Sequence, residues 1–401
     1  MDSRIAAAFD SGALVRPSLV EPDLVHLTRA LAGMAGATDV DTSAAPVREL
    51  RELIGNTDHL VFVLLDGLGM NLVRRLPPAS LLARGLKRVI RAVCPSTTAC
   101  ALTSVATAAW PAQHGVTGWF THLPDHAMTI STLPMVERFS GTPLAQRELT
   151  PAELVPIVAY HGSLSSRPLT LLPSPIVDTA FAHYSRGNTA GFGYGSRDEA
   201  VERIAAFVRA DPAPSYTHWY VPDVDSACHH DGVRAGTALE LLAQLDAEIT
   251  RLRQLLPPNA RIVITADHGL LDVEAADHLP LPSDDPLLGH LVVPPSGDAR
   301  MPIFHVRPGQ RERFAAAFDQ RFGHGIALIA SEEAAALGMF GPPPLLPAAR
   351  ARFGDYVGIA YRPVTLHYVV PIPPGSTPHR QYLALHGGLS HDEMEIPLIV
   401  A

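Results

Sequence analysis

A doubly wound α/β sandwich around a mostly parallel sheet is the fold this sequence predicts, on two observations. Continuous apolar runs end abruptly in polar residues, and amphipathic helical stretches lie between those runs. Unbroken β-branched runs suit strands buried on both faces, as in a parallel sheet, whereas a strand with one wet face alternates. Four runs stand out. The run from His59 to Leu65 closes on Asp66-Gly67, and that from Arg88 to Val93 leads into Cys94-Pro-Ser-Thr-Thr98. Thr217 to Val221 runs into Pro222-Asp-Val-Asp225, and Arg261 to Ala266 ends at Asp267-His268-Gly269.

Helical patterns fill the intervals. Ser196-Arg-Asp-Glu199 predicts a capping box, and Val201, Ile204, Ala205 and Val208 follow it at helical spacing. Leu241, Leu245, Ile249, Leu252 and Leu256 form one apolar stripe, stopped by Pro257-Pro258. From Leu271 to Arg380 prolines crowd the chain and regular alternation is lost, which predicts a long, partly structured insertion beside the site. The expected organisation is therefore a catalytic core over 1–270, an inserted cap region over 271–380, and a return to the core over 381–401.

Composition narrows the function. The 401 residues are 47% hydrophobic and 18% charged, enough to bury a large core and too apolar for disorder. No stretch is long and apolar enough to cross a membrane, and Met1 to Asp10 lacks the apolar run of a secretory leader. A soluble cytoplasmic protein without membrane insertion is expected. The net charge of -9 opposes tight binding of a nucleic-acid polymer, whereas a small anion remains possible where bound cations invert the local field. Three cysteines, Cys94, Cys100 and Cys228, make neither a disulfide framework nor a zinc module, so buried thiols are expected.

Ligands of such sheets collect beyond the carboxyl ends of the strands. The polar residues that end the four runs all fall there. Taken singly, each has an ordinary reading. Asp66 could cap a helix, and Thr97 or Thr98 could cap the small-residue helix that begins at Ala99. Equally, a hydroxyl in that first turn lies beside free N–H groups and the positive end of the helix dipole, as a nucleophile attacking phosphorus requires. Asp225 and His229, four apart, share one face of a helical turn. Asp-His also occurs at Asp58, Asp125 and Asp277, but only Asp267-His268 both follows a buried strand and precedes a glycine. His386-Gly387-Gly388 precedes the last apolar run, where two glycines would let a ligand approach. Three Asp and three His without a thiolate suit zinc first, with manganese or iron behind it, and a pair of metals suits phosphoryl transfer.

In this order, from about Leu60 to Ala401, the motifs resemble the alkaline phosphatase superfamily, and within it the type I phosphodiesterase / nucleotide pyrophosphatase family. They are Asp66-Gly67; Pro95-Ser-Thr-Thr98 with Pro111-Ala-Gln-His114-Gly115; Pro222-Asp-Val-Asp225 with His229; Asp267-His268-Gly269; and His386-Gly387. The resemblance implies an alkaline-phosphatase-like three-layer α/β/α sandwich and two divalent metal ions, most simply Zn2+. One ion would be held by Asp225, His229 and His386. The other would be held by Asp66, Asp267 and His268, with Thr98 as both ligand and nucleophile. Thr98 rather than Thr97 matches the family's distance to His114-Gly115, and Asp223 and His230 are the nearest rival ligands. The implied reaction is hydrolysis of a small phosphodiester or pyrophosphate through a phosphothreonine.

The sequence also departs from the family. Trp119 stands where characterised members place an Asn on a phosphoryl oxygen, and Ala99-Cys100 replaces Phe-Pro after the nucleophile. The Ala99 N–H would still face developing charge, and Trp119 would offer a flat group to the substrate. A phosphomonoesterase on the same metals is the alternative. It needs added positive charge, and none lies close after Thr98. The Cys-x-Pro-x-Arg context of sulfatases is absent, superfamily mutases usually carry Ser as nucleophile, and a binding protein would be expected to have lost a ligand.

Overall fold

The computed structural model describes residues 1–187, 189–370 and 381–401, and in it the four apolar runs become strands of a seven-stranded sheet. From edge to edge the strands are Leu86–Arg91, Glu395–Val400, Ala260–Thr265, His59–Leu65, Ser215–Val221, Arg167–Pro173 and Gly191–Tyr194. His59–Leu65 pairs parallel with both neighbours, with His59 opposite Ser215 on one side and Ala260 on the other. Every residue of His59–Leu65 and Ser215–Val221 is buried, which requires cover on both faces. One set of helices, Arg197–Arg209, Asp223–Asp231 and Gly236–Leu255, packs together; Leu24–Met34, Ala45–Ile54 and Thr98–Thr107 form another. No helix among the described residues is long and apolar enough to cross a membrane. All three cysteines are buried and free.

One strand is reversed. Glu395–Val400 runs antiparallel to both Leu86–Arg91 and Ala260–Thr265. A residue that precedes this strand therefore emerges at the same edge as residues that follow the parallel strands. That is how His386, on the amino side of its strand, reaches Asp66, Asp225 and Asp267.

Local details follow the sequence with small shifts. Ser196 accepts from Glu199 N at 3.2 Å, but the Glu199 carboxylate takes Gly195 N at 2.7 Å instead of closing a box on Ser196. The preceding strand ends at Tyr194, which leaves the Gly195 amide without a strand partner and nearer to hand. In Gly236–Leu255 the buried stripe runs through Leu242, Leu245, Ile249 and Leu252, and Leu241 is only partly covered.

The proline-rich stretch holds more strand than its texture suggests. A second seven-stranded sheet, antiparallel throughout, runs Ile326–Ala330, Tyr356–Ala360, Met301–Phe304, Ser296–Asp298, Phe120–Leu123, Met128–Ser131, Val136–Glu137. Its last three strands come from 120–137, so two separate parts of the chain build it. Strands of two to five residues are too short for alternation to be read. Residues 371–380, the end of the expected insertion, lie outside the described residues.

A buried ion pair ties the second sheet to the chain entering Glu395–Val400. Arg300, 1% exposed, donates from Nε at 2.6 Å and Nη2 at 3.1 Å to Glu393, which is 0% exposed. Arg300 Nη1 donates to the carbonyls of Val364 and Arg362, and Glu393 Oε1 accepts Gly388 N at 2.7 Å. Burial pushes the Glu393 carboxyl up, but the Arg300 charge and hydrogen bonds outweigh it and hold it below the usual range. Its stabilising contribution is thus complete above about pH 4.3, the unfolded value, and is lost as pH falls through the folded one. Arg300→Ala leaves Glu393 charged and unpaired, and is expected to lower stability by about 3–5 kcal/mol in denaturant unfolding. A loss below about 1 kcal/mol would show that the pair does not join the sheets.

Candidate active site

The polar residues at the common strand edge are brought together by their turns. Asp66 N donates to Val221 O, and Asp66 O accepts Asp225 N, both at 3.0 Å, so the turns after two adjacent strands are pinned. Gly67 sits at φ +76°, and a Cβ there would lie 2.8 Å from Asp225 Cα. Only glycine meets both demands. Gly67 N and His268 N each donate to Asp267 Oδ1 at 3.0 Å. Asp267 Oδ2 and Asp66 Oδ1 are left buried without a partner, and lie 3.3 and 3.6 Å from His268 Nε2. Thr98 Oγ1 stands 3.0 Å from the same nitrogen.

A second group lies alongside. Asp225 Oδ2 is 3.3 Å from His229 Nε2, one turn later in Asp223–Asp231. Asp225 Oδ1, buried and unpartnered, is 3.8 Å from His386 Nε2. The His268 and His386 rings stack with centroids 3.7 Å apart and join the groups. Within each group, Asp66-Asp267-His268 and Asp225-His229-His386, one ligand atom from each residue lies within 4.8 Å of the others.

The histidines share one orientation. Nδ1 faces Gly269 O at 3.2 Å in His268, Ala384 O at 2.7 Å in His229, and Ser96 O at 3.2 Å in His386. A carbonyl only accepts, so Nδ1 carries the proton and Nε2 turns its lone pair inward. Inward lone pairs beside orphaned carboxylate oxygens are costly when buried, and a divalent cation relieves that cost. The oxygen and nitrogen donor sets fit such ions, zinc best.

The electrostatics say the same. Burial, then the neighbouring Asp267 and Asp225, pushes Asp66 well above the usual carboxylate range. Burial and those carboxylates also raise the Tyr220 phenol, which stays protonated and donates to Asp66 Oδ2 at 2.5 Å. Burial raises Asp225 too, but where His229 Nε2 also carries a proton its charge outweighs burial and holds the group at about 2; a cation in place of that proton would act in the same direction. Burial and His268 keep His386 well below its usual value. The site is short of positive charge.

Thr97 is the N-cap of Thr98–Thr107, and its hydroxyl lies beside Asp298. Thr98, Ala99 and Cys100 form the first turn, where the helix offers their N–H groups no acceptor. Asp223 pairs with Arg197, His230 Nδ1 lies 2.7 Å from Ser226 O, and neither belongs to the two groups of ligand atoms. Trp119 is 38% exposed, and its N–H donates to Asp298 Oδ2 at 2.9 Å. Sequence reasoning missed Tyr220, Tyr382 and Asp298. Tyr220 carried a faint signal, a polar tip at the end of a buried run. Tyr382, whose ring stacks on His229 at 4.3 Å, and Asp298, which burial pushes up to about 6, carried none.

The geometry matches known proteins. The model of the Type I phosphodiesterase / nucleotide pyrophosphatase family matches residues 60–333. Human ectonucleotide pyrophosphatase / phosphodiesterase 5 superposes with TM-score 0.62 at 13% identity, over 84% of this chain and 87% of that one. An inactive murine form of it, in complex with AMP, gives 0.60 at 13% over 86% and 87%. Phosphonoacetate hydrolase from Sinorhizobium meliloti, in complex with phosphonoformate, gives 0.61 at 18% over 86% and 90%. At such identities the likeness is one of fold. None of the curated proteins matches the sequence. Because the family match spans more than half of the chain, the protein belongs to the type I phosphodiesterase / nucleotide pyrophosphatase family of the alkaline phosphatase superfamily, and is a hydrolase acting on phosphoric ester bonds.

Proposed function

We propose that the protein is a metal-dependent hydrolase of small-molecule phosphodiester or pyrophosphate bonds that works through a phosphothreonine on Thr98. The observation that carries this is the place of Thr98 Oγ1, 3.0 Å from His268 Nε2 at the first turn of a helix, beside two groups of inward-facing ligand atoms. Asp66, Asp267 and His268, with Thr98, would hold one ion; Asp225, His229 and His386 would hold the other. When bound, the ions supply a lowered pKa at the Thr98 hydroxyl and counter-charge for the phosphoryl and leaving oxygens.

The chain's own residues supply the rest. Thr98 Oγ gives its proton to solvent and bonds to phosphorus, while the bond to the leaving oxygen breaks in line and its electron pair goes to that oxygen, which takes a proton from solvent. The first-turn N–H groups, that of Ala99 among them, and the helix dipole stabilise the phosphoryl oxygens. Water then attacks phosphorus, the P–Oγ bond breaks, and the Thr98 hydroxyl is restored. Trp119 offers an exposed face to the rest of the substrate. In this reading the described residues of 271–380 form a cap on a core of 1–270 and 381–401, helped by the strands from 120–137. Among the described residues, no Arg or Lys makes an ion pair with Asp66, Asp225 or Asp267. The lack of any Arg or Lys close after Thr98 in the sequence favours diesters, which carry one charge fewer than monoesters. The similar structures named for a nucleotide pyrophosphatase and a phosphonoacetate hydrolase show how widely substrates vary on one fold.

The test is turnover of bis(p-nitrophenyl) phosphate against p-nitrophenyl phosphate on protein of measured metal content. The expected result is two ions per chain and faster diester turnover; a monoester preference would move the enzyme to the phosphatase alternative. Thr98→Ala is expected to lose more than about 1000-fold in kcat while keeping its metals. Wild-type turnover in that variant would remove Thr98 as nucleophile. His386→Ala should lose metal as well as activity. Tyr220→Phe leaves Asp66 Oδ2 without its donor, and should weaken metal binding by roughly 10–100-fold in competition with a chelator. Unchanged affinity would show that Asp66 is oriented without the phenol.

A further inference from the structure

We infer that Asp298 sets the charge selectivity of this site, disfavouring substrates with a second negative charge on the scissile phosphoryl group; the inference rests on the phosphoester reading above. Asp298 ends the strand Ser296–Asp298 and so comes from the second sheet, not from the edge that carries the two ligand groups. It enters the site between two glycines. A Cβ on Gly118, at φ +153°, would lie 2.6 Å from Asp298 Oδ2, and one on Gly387, at φ +111°, would lie 3.0 Å from Asp298 Cβ. Side chains at either position would displace the carboxylate, and Gly387 directly follows His386.

Its surroundings place the charge beside the reacting atoms. Oδ2 accepts Trp119 N at 2.9 Å, and the Thr97 hydroxyl, one residue before Thr98 and without a hydrogen-bond partner of its own, is near enough to act on the carboxylate. His268 from one group and His229 from the other are both near enough to act on it electrostatically. Yet Asp298 belongs to neither group of ligand atoms, and among the described residues no Arg or Lys pairs with it. The charges of Asp66, Asp225 and Asp267 would be taken up by cations. That of Asp298 would stay exposed to the substrate.

Two like charges a few ångströms apart in a partly buried site repel strongly. A phosphodiester brings one negative charge near phosphorus and a phosphomonoester or inorganic phosphate brings two, so Asp298 acts harder against the second class.

Asp298→Asn is the test, because an amide keeps the size and can still accept from Trp119 N while the charge is gone. Metal-loaded wild type and variant would be compared at pH 8 for kcat/KM on p-nitrophenyl phosphate and bis(p-nitrophenyl) phosphate, for metal content, and for binding of inorganic phosphate by calorimetry. The monoester-to-diester ratio is expected to rise about 10–100-fold in the variant, with phosphate binding tightened by a similar factor, each tenfold being about 1.4 kcal/mol. A ratio and a phosphate affinity within about twofold of wild type, with metals intact, would overturn the inference. Loss of metal from the variant would also overturn it, since Asp298 would then be a ligand. Should the wild type cleave neither ester, the phosphoester reading fails by itself, and phosphate binding still decides the role of Asp298.

Discussion

Asp66 and Asp267 lie buried and Asp225 half-buried at one sheet edge, where burial and then the neighbouring carboxylates raise Asp66 far above its ordinary range, and each has one oxygen that accepts nothing. Mutual repulsion and lost hydration both oppose such an arrangement. It persists because the backbone dictates it. The Asp66 amide and carbonyl are committed to Val221 and Asp225, and Asp267 Oδ1 is committed to the Gly67 and His268 amides. None of the three can turn away without giving up a turn that ends a central strand. Cations would relieve that cost, so in the proposed reading the contacts that end the strands are also the cradle for metal ions.

Delivery of the remaining ligand depends on topology. His386 precedes its strand, and in an all-parallel sheet that would put it at the far edge from Asp66. The reversal of Glu395–Val400 brings it back. Ser96 then holds the His386 loop twice, its carbonyl facing His386 Nδ1 and its hydroxyl donating to Gly388 O at 2.7 Å. Glu393 takes the Gly388 amide while paired with Arg300. The segment before Thr98 and the loop that carries His386 are thus one hydrogen-bonded unit, anchored on the second sheet by a buried charge pair.

What the sequence made legible follows from these constraints. Strands buried on both faces are nearly pure apolar runs, so His59–Leu65 and Ser215–Val221 could be read directly, and the residues just past them could be read as site candidates. Distinguishing Asp267-His268 from its copies at Asp58, Asp125 and Asp277 needed only its place after such a strand. The second sheet was not legible, since its strands are short and two distant parts of the chain supply them. Asp298 was hidden for the same reason: no local pattern in Ser296-Gly-Asp298 reveals that Gly118 and Gly387 make room for it. Tyr220 was read as strand apolarity, although alternation turns its phenol, unlike the Trp219 ring, toward Asp66.

These two kinds of residue differ in how freely they can change. Each group on the central edge is held by backbone contacts that also end a strand, and each histidine is fixed through Nδ1 to a carbonyl, so altering one disturbs the turn together with the cluster of ligand atoms. Asp298 and Trp119 meet the site from the second sheet and its Gly118 turn, joined to each other through one N–H. Their side chains can vary without touching the turns that hold Asp66, Asp225 and Asp267. A fold arranged this way keeps its phosphoryl chemistry constant while its second sheet resets the charge and shape around the substrate.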